Sequence, residues 1–235
     1  MTTTTIAMDG PAASGKSTVG RLLAEKLNYV MLDTGFMYRA VTLAALNAGL
    51  NLEDETAVTQ LAATLNLDVR PAAGHTDGRH YTALLNGADV TWALRTPEID
   101  ANVSLVSSYQ GVRQEMVRRQ REMGERGGVV MVGRDIGTVV MPDAPLKLYI
   151  TASAEERARR RWRDRQAQGH PDSFEAILAD VKRRDAFDSG RQHSPLKPAA
   201  DALIIDTTGK SVDSIVAEIL NQFENIPHSQ FTIHN

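Results

Sequence analysis

Gly10-Pro11-Ala12-Ala13-Ser14-Gly15-Lys16-Ser17 is a complete G-x-x-x-x-G-K-[ST] phosphate-binding loop. The β-rich run Thr4-Thr5-Ile6-Ala7-Met8 leads into the loop. Apolar residues at helical spacing follow it, at Val19, Leu22, Leu23 and Leu27. Strand, glycine-rich turn and helix are the context in which this motif holds phosphate, so the sequence predicts a nucleotide-binding site here.

The residue types of this loop suit phosphate for physical reasons. Gly10 and Gly15 let the backbone curl until several N–H groups face one anion, and the following helix adds the positive end of its dipole. The Lys16 ammonium can reach the β- and γ-phosphates, and the Ser17 hydroxyl can ligate Mg²⁺. We therefore predict a catalytic role for Lys16 and metal ligation by Ser17.

Length and composition indicate a soluble globular protein. The 235 residues suffice for one large α/β domain with insertions, and 42% of them are hydrophobic and 23% charged. A net charge of −3 gives no electrostatic reason to expect nucleic acid or an acidic membrane as a partner. The absence of cysteine excludes disulfides, thiolate catalysis and Cys-ligated zinc.

Targeting signals are not visible in the chain. It has no apolar run of 18 residues, and its first five residues lack the charged and apolar regions of a signal peptide. We expect a cytoplasmic protein without a membrane partner. We also expect a monomer.

Short apolar runs alternate with amphipathic helices along the chain, which predicts an α/β fold with a parallel sheet and helices on both faces. Helices are predicted to begin after Thr96, after Ser153 with Glu156 as its capping-box partner, and after Ser211. Besides the first strand, the predicted strands are Tyr29–Leu32, Val129–Val132, Lys147–Ile150 and Ala202–Ile205.

One stretch, residues 67 to 95, breaks this alternation. Asn86-Gly87 lies between two strand-like runs and is a strong signal for a β-hairpin. We predict a small antiparallel excursion whose strands are Leu67–Arg70, Tyr81–Leu85 and Val90–Leu94. Residues 74 to 80 would form its exposed tip.

Two further segments leave the carboxyl ends of predicted strands, where open α/β sheets bind ligands. One brings Thr34 and, a helical turn later, Arg39; the other brings Arg134 and Asp135. The planar guanidinium of arginine binds phosphate oxygens in pairs and keeps its charge, which favours anion binding at these positions. The alternative is that both arginines are surface ion-pair partners.

Six arginines occupy nine residues between Arg157 and Arg165, on a predicted helix. Like charges at this spacing repel each other unless an anion lies among them. One hypothesis is a mobile lid whose arginines stabilise a triphosphate, with Arg157 and either Arg160 or Arg161 pointing inward. The alternatives are a solvated face, or an RNA-binding stripe with Trp162 as a stacking platform.

A last cluster contains Arg184, Asp188 and Arg191, whose spacing of four and three places them on one helix face. Taken alone, this trio is typical of an ion-pair ladder. It would serve function only if that face meets the ligand crevice.

Several segments, in this order and spacing, resemble the bacterial-type cytidylate kinases. The similarity extends from about Ile6 to Phe223. The matching motifs are I-x-x-D-G-P-A-A-S-G-K-S from Ile6, L-D-T-G-F-M-Y-R from Leu32, G-R-D-I-G-T-V-V-M-P-D-A-P-L-K from Gly133, A-S-A-E-E-R-A from Ala152, R-R-D-A-F-D-S-G-R from Arg183 and P-L-K-P-A-A-D-A from Pro195.

The resemblance implies a nucleoside-monophosphate kinase fold with a P-loop core, an Arg-rich lid and a monophosphate-binding region enlarged by the antiparallel excursion. The implied core comprises residues 1–35, 105–152 and 187–225, and the monophosphate-binding region comprises residues 36–104. Residues 153–186 would form the lid and the following helix, and residues 226–235 a disordered tail.

The resemblance also implies transfer of a phosphoryl group from ATP to CMP and dCMP, with Mg²⁺ bridging the phosphates of ATP. Thr34, Arg39 and Arg134 would hold the acceptor phosphate, and Arg134 would join Lys16 and the lid arginines in catalysis. ATP would contact the loop from Gly10 through Thr18. The cytosine would be surrounded by Ser104, Arg113, Asp135 and Arg191, and the ribose hydroxyls would be bound by Arg184 and Asp188. The choice of Asp188 over Asp185 depends on the resemblance, not on spacing.

Two other functions remain open on the sequence. The nearer one is another small-molecule P-loop kinase, acting on UMP, dephospho-coenzyme A or shikimate, although Arg39, Arg113 and Arg134 favour an acceptor that carries a phosphate. The more distant one is an RNA-binding protein that uses the Arg157–Arg165 stripe. A switch GTPase is disfavoured, because no N-K-x-D guanine motif follows the fourth strand.

Overall fold

The computed structural model describes residues 4–72, 74–79, 81–167 and 169–225. The chain divides into two compact units. The first contains the chain up to Met31 and again from Gly124 onward, and the second is Leu32–Met123. The domain bounds expected from the sequence differ from this division and stay a prediction. The expected disorder after residue 225 concerns residues outside the described ones.

A five-stranded sheet in the order β2-β6-β1-β7-β8 contains the predicted strands. Strand β6 pairs in parallel with β1, β1 with β7, and β7 with β8. The strands are β1 Thr5–Asp9, β2 Val30–Asp33, β6 Val129–Val132, β7 Leu146–Thr151 and β8 Leu203–Asp206. The predicted parallel α/β architecture is therefore confirmed, with strand limits that shift by about one residue.

The helices of the first unit pack on this sheet or on each other. Ile6 and Met8 of β1 are fully buried in an aliphatic core, together with Leu23 and Ile219. Burying such side chains contributes roughly 1.5–3 kcal/mol each, which is the main force that holds helices against a sheet. The helices are α1 Lys16–Leu27, α6 Ala154–Ala167, α7 Phe174–Gly190 and α8 Val212–Glu224.

Local capping explains where several helices begin. The Ser153 hydroxyl accepts a hydrogen bond from Glu156 N at 3.1 Å, and Ser211 does the same for Ser214 N at 3.2 Å. Only this half of the predicted capping box is present, because Ser153 N donates to the Thr208 hydroxyl at 3.2 Å and the Glu156 carboxylate accepts from Arg159 and Arg160. Thr96 caps its helix by accepting from Ile99 N at 3.4 Å. These three predicted helix starts are confirmed.

The second unit combines helices with a small antiparallel sheet in the order β3-β4-β5. Asn86 and Gly87 have φ of 51° and 84°, the left-handed conformations that a tight hairpin turn needs, so the predicted hairpin is confirmed. Its elements are α2 Gly35–Asn47, α3 Glu55–Thr64, β3 Leu67–Pro71, β4 Tyr81–Leu85, β5 Ala88–Asp89, a 3₁₀ turn Ala93–Arg95, α4 Pro97–Val106 and α5 Gln110–Gly124.

The predicted strand Val90–Leu94 is wrong. Strand β5 covers only Ala88–Asp89, and a 3₁₀ turn follows from Ala93. The Asp89 carboxylate accepts hydrogen bonds from both the backbone N–H of Thr91 (2.9 Å) and the Thr91 hydroxyl (2.7 Å). This side-chain turn bends the chain away from the ladder, which an apolar run by itself does not reveal.

Two more predictions can be compared with the described residues. The part of the predicted tip from Gly74 to Gly78 is exposed, while His80 lies outside the described residues. For Arg79 the prediction is wrong, because its side chain lies against Asp77 and Asp89 and is 7% exposed. None of the helices in the described part of the chain combines the length and apolar character needed to cross a membrane.

Candidate active site

The phosphate-binding loop connects β1 to α1, and its backbone has a positive φ at three residues. Gly10, Ala13 and Gly15 have φ of 145°, 60° and 95°. A Cβ at Gly10 would lie 2.0 Å from the carbonyl oxygen of Ile150, so the loop passes directly against β7. This close approach explains why the loop begins with glycine.

Lys16 is the first residue of α1 and is 6% exposed. Its Nζ donates to the carbonyl of Pro11 at 2.5 Å and to the Ser14 hydroxyl at 3.4 Å, so the ammonium lies across the loop. Ser17 is half-buried and Thr18 exposed. Together with the N–H groups at the start of α1, these residues present donors and positive charge to an anion.

Asp9, which the sequence analysis did not single out, is the last residue of β1 and is 3% exposed. One carboxylate oxygen accepts from Ile136 N and the other from Gly137 N, each at 2.7 Å. Burial, helped by the negative charge of Asp135, raises the pKa of Asp9 to about 6, against the lowering effects of these two bonds and of Lys16. In the sequence, only the position of Asp9 directly before the loop pointed to these contacts.

Arg134, Asp188 and Arg191 come together in the first unit. Asp188, 2% exposed, accepts from Arg134 Nε at 3.2 Å and from an Arg191 guanidinium nitrogen. Asp188 of α7 thus meets the segment that follows β6, and the two guanidiniums share its carboxylate. The prediction that Arg191 shares a helix face with Asp188 is wrong, because α7 ends at Gly190 and Arg191 has extended backbone. A shared carboxylate orients both guanidiniums.

The neighbouring predicted residues lie on the same elements. Asp135 is 4% exposed and close enough to Asp9 to raise its pKa. Arg184 is half-buried on α7, one turn before Asp188. Asp185 is engaged elsewhere, because both of its carboxylate oxygens accept hydrogen bonds from Arg157. This contact distinguishes Asp185 from Asp188, which the sequence spacing could not do.

Arg157 is anchored rather than solvated, and its side chain is 5% exposed. It binds Asp185 through both Nη atoms, at 3.0 and 2.5 Å. Its Nε donates to the carbonyl of Ala152 at 3.0 Å, and Nη1 reaches the carbonyl of Ala12 in the phosphate loop at 3.2 Å. This arginine therefore ties α6 to α7 and to the loop.

Arg160 also reaches the phosphate loop, through the carbonyl of Ser14 at 3.4 Å. Its guanidinium donates to the carbonyl and hydroxyl of Thr207 at 2.9 and 3.0 Å, and the buried Thr207 hydroxyl donates to Ser14 O at 3.1 Å. Arg161 pairs with Asp180 of α7 at 3.1 Å. Of the three, Arg157 and Arg160 contact the loop, and Arg161 does not do so in any contact described.

Carboxylates separate the charges of the arginine run. Five of its six arginines have a carboxylate oxygen within 4.0 Å, and the partners are Glu156, Asp172, Asp180 and Asp185. The anion that the sequence argument required is thus supplied within the chain. Trp162 packs with Ile177 and Val181 and donates through Nε1 to the carbonyl of Asp172 at 3.1 Å, so it lies in a small apolar cluster.

In the second unit, Thr34 and Arg39 stand at the start of α2. Thr34 is 3% exposed and precedes the first helical residue. Arg39 donates to Asp100 at 2.7 Å and to the carbonyl of Leu94 at 2.9 Å, with about a quarter of its side chain exposed. Its charge is therefore partly balanced by a carboxylate of the same unit.

Ser104 and Arg113 are linked through Ser107. Arg113, 5% exposed, donates to the Ser107 carbonyl at 3.0 Å, and the Ser107 hydroxyl donates to the Ser104 carbonyl at 3.1 Å. The Arg113 guanidinium also lies 5.4 Å from the centre of the Tyr38 ring, within cation–π range. Two predicted cytosine contacts, on the consecutive helices α4 and α5, are therefore linked in this unit.

Tyr81 and Arg95 were missed by the sequence analysis. Burial, and after it the charge of Asp33, raise the pKa of Tyr81 above its ordinary value, against the smaller lowering effects of Arg95 and Arg39. Arg95 stacks on Trp92 with 5.1 Å from its guanidinium carbon to the ring centre. Only the pairing of β4 with its neighbours brings Tyr81 near the α2 start, so no local pattern could indicate it.

Within the described ranges, no group of three histidine, aspartate or glutamate residues is placed to hold a metal ion. The Ser17 hydroxyl at the start of α1 remains the predicted ligand.

Comparison with known proteins gives one consistent family. The family model described as Cytidylate kinase matches residues 6–225. Cytidylate kinase of Chloroflexus aggregans (strain MD-66 / DSM 9485) is 51% identical over 220 residues, covering 93% of this chain and 93% of that protein. Cytidylate kinase of Bacillus subtilis (strain 168) is 46% identical over 219 residues, covering 93% of this chain and 96% of that protein.

A solved structure shows similarity of fold alone. It is an uncharacterized protein from Eubacterium ventriosum ATCC 27560, with a TM-score of 0.50 and 13% identity, and the match covers 94% of this chain and 98% of that one.

Proposed function

Because the chain belongs to the cytidylate kinase family, we propose that it transfers the γ-phosphoryl group of ATP to CMP and dCMP, giving ADP with CDP and dCDP. The observation that carries this proposal is the phosphate-binding loop. Its left-handed Gly10 and Gly15 and its buried Lys16 have the geometry that nucleotide phosphates need, within a family match from residue 6 to residue 225.

The donor nucleotide would be bound by the loop from Gly10 through Thr18. Lys16 would leave the Pro11 carbonyl and the Ser14 hydroxyl, which it contacts at 2.5 and 3.4 Å, to neutralise charge on the transferred group. The Ser17 hydroxyl would ligate Mg²⁺, which supplies positive charge between the phosphates of ATP. A hydroxyl oxygen at the start of a helix that binds phosphate has the chemistry of such a ligand.

The acceptor would be recognised by arginines whose orientation the chain already fixes. Arg134 and Arg191 share the buried carboxylate of Asp188, which supports the assignment of Arg134 to the acceptor phosphate and Arg191 to the cytosine. We assign the ribose to Arg184 and Asp188, and further cytosine contacts to Ser104, Arg113 and Asp135. Thr34 and Arg39 would complete phosphate binding.

Catalysis would consist of positioning and electrostatic stabilisation. The attacking oxygen of a nucleoside monophosphate is already anionic at neutral pH, so the reaction requires no strong general base. Lys16, Arg134 and the loop-contacting Arg157 and Arg160 would stabilise charge on the equatorial oxygens, and Arg161 would take this role only after leaving Asp180.

The alternative of an RNA-binding stripe is weaker. Five arginines of the run are bound to carboxylates, so the helix offers little unbalanced positive charge to a phosphate backbone. No observation favours a different acceptor, and the experiment below distinguishes the acceptors directly.

The test is coupled-assay ADP production from MgATP with CMP, dCMP, UMP, AMP and shikimate offered separately. We expect turnover of CMP and dCMP to exceed that of UMP and AMP by at least about tenfold, and Lys16→Met to lower kcat about 10²-fold or more while the fold is kept. If none of the acceptors stimulates ADP release while ATP still binds, the proposed function is wrong.

A further inference from the structure

Asp9 connects two segments of the first unit that are far apart in sequence. It ends β1 and directly precedes Gly10 of the phosphate loop. Each of its carboxylate oxygens accepts one backbone N–H, from Ile136 and Gly137, at 2.7 Å. These two N–H groups begin the short π-helix Ile136–Val140, which immediately follows Arg134-Asp135.

An ionised carboxylate at this buried position is unfavourable for the stability of the fold. Asp9 is 3% exposed and lies near the negative charge of Asp135, and burial is the largest effect that raises its pKa, to about 6. A buried carboxylate that must ionise costs stability relative to a neutral group. Only the ionised form of the carboxylate offers two acceptor oxygens, side by side, to two adjacent N–H groups.

We propose that Asp9 is a positioning residue for the acceptor, because its two oxygens hold the backbone after Arg134-Asp135 against the strand that leads into the phosphate loop. This inference depends on the proposed function, in which Arg134 and Asp135 contact the acceptor. Asp9 itself touches neither substrate. It acts by fixing the segment that carries those two side chains.

Replacement by asparagine removes one acceptor and leaves the shape. The side-chain NH₂ group of Asp9→Asn would face a backbone N–H that then has no acceptor in the clamp, so the segment shifts. A displacement near 1 Å costs on the order of 10²-fold in rate. We expect kcat/KM for CMP to fall about 10- to 100-fold, while KM for ATP and the Kd of an ATP analogue change less than about threefold.

The experiment varies CMP at saturating MgATP, and then MgATP at saturating CMP, for the wild-type protein and Asp9→Asn. The matched control is Asp54→Asn, which makes the same chemical change at a carboxylate that accepts one backbone N–H, from Ala57 at 3.0 Å, and caps α3 in the other unit. We expect the control to leave both KM values and kcat unchanged.

A pH profile provides a readout that a structural role would not move. Below pH about 6, protonated Asp9 has one hydroxyl in place of an acceptor, so kcat/KM for CMP should fall with pH. The charged and titratable groups facing Asp9 are Lys16, Asp135 and Tyr149, and the Lys147 stem lies beside Gly137. The acceptor phosphate also titrates near pH 6, so two groups lower kcat/KM at low pH in the wild type. Asp9→Asn should keep the decrease caused by the acceptor phosphate and lose the decrease caused by Asp9.

A second variant approaches the clamp from the other side. A Cβ at Gly137 would lie 3.3 Å from Cγ and Cδ of the flexible Lys147 stem and in ordinary contact, 3.4 Å, with Asp9 Oδ2. A methyl group therefore fits with little movement, whereas the branched side chain of Gly137→Val should push the N–H away while Asp9 stays. It should give the same pattern, a loss of kcat/KM for CMP with ATP binding kept, and it decides the question if Asp9→Asn does not fold.

Three outcomes overturn the inference: unchanged kcat/KM for CMP in Asp9→Asn, an equal loss of ATP binding, or a low-pH limb identical to that of the wild type. If the wild-type protein itself does not phosphorylate CMP, the proposed function has failed instead. The two failures are therefore distinguishable.

Discussion

At the scale of single residues, the end of β1 combines two requirements. Asp9 holds a distant backbone segment through two hydrogen bonds of 2.7 Å, and Gly10 lets the chain turn where any side chain would meet β7. Asparagine cannot replace Asp9, because it offers one acceptor oxygen where two are used, and alanine cannot replace Gly10, because it adds a Cβ.

Gly10→Ala should abolish ATP binding and strongly destabilise the protein. The new Cβ would lie 2.0 Å from the Ile150 carbonyl oxygen at a φ of +145°, so either the loop or β7 must move, and we expect a loss of about 3 kcal/mol or more. Urea unfolding and calorimetric titration with an ATP analogue measure the two effects.

Gly49→Ala is the matched control for this prediction. Gly49 also has a positive φ, +66°, but nothing lies within 4 Å of the added Cβ, so only the backbone conformation is strained, by about 1–2 kcal/mol. Equal losses of stability in the two variants would contradict the assigned close approach at Gly10.

At the scale of elements, three ion pairs of the described residues connect α6 with α7. We compare two of them, which we expect to differ in strength. Arg157 and Asp185 form a bidentate pair whose arginine side chain is 5% exposed, whereas Lys182 and Glu155 are 3.4 Å apart and more than half exposed. Exposed pairs are screened by water, while removing one partner of a buried pair leaves an uncompensated charge.

Asp185→Asn should therefore lower the free energy of unfolding by about 1–3 kcal/mol, less than for a fully buried pair, since the carboxylate is 29% exposed. Glu155→Gln, which breaks the exposed pair between the same helices, should cost less than about 0.5 kcal/mol. Urea unfolding of both variants measures the difference, and similar costs would show that Arg157 is not tied down by Asp185.

The elements also show which predictions depended on local information. The Asn86-Gly87 hairpin and the helix starts at Thr96, Ser153 and Ser211 were predictable, because turn and cap preferences act within four residues. The strand predicted at Val90–Leu94 was not, because the Asp89 side chain captures the Thr91 N–H and hydroxyl and bends the chain. A hydrophobic run cannot distinguish these outcomes.

At the scale of the whole molecule, carboxylates with opposite pKa shifts determine how stability depends on pH. The pKa of Asp9 is raised to about 6, so the folded protein keeps this proton after the unfolded chain has lost it. Its contribution to the free energy of unfolding is thus greatest below pH 4 and falls by about 3 kcal/mol as pH rises through 6. Asp89 does the opposite, because Arg79 lowers its pKa to about 2.

Asp9→Asn should therefore gain stability relative to the wild type as pH rises from 4 to 7, by up to about 3 kcal/mol, even as it loses activity with CMP. For Asp89→Asn the pH dependence is opposite. Below pH 4, the free energy of unfolding of the wild type should fall relative to that of the variant as pH falls toward 2. Urea unfolding at each pH tests both; a pH-independent difference for Asp9→Asn would contradict the raised pKa.

Local patterns of residues were enough to predict the parallel α/β architecture, the phosphate-binding loop, the hairpin and the family. Each depends on the spacing and conformational preferences of contiguous residues. The pairing of carboxylates with arginines became visible in the folded chain alone, where Asp188 joins Arg134 and Arg191 while Asp185 binds Arg157. The same is true of Asp9, which holds the backbone at Ile136 and Gly137. These contacts join residues more than twenty-five positions apart, apart from Asp188 with Arg191. Electrostatic partners at such separations are selected by packing and burial, which no local pattern encodes.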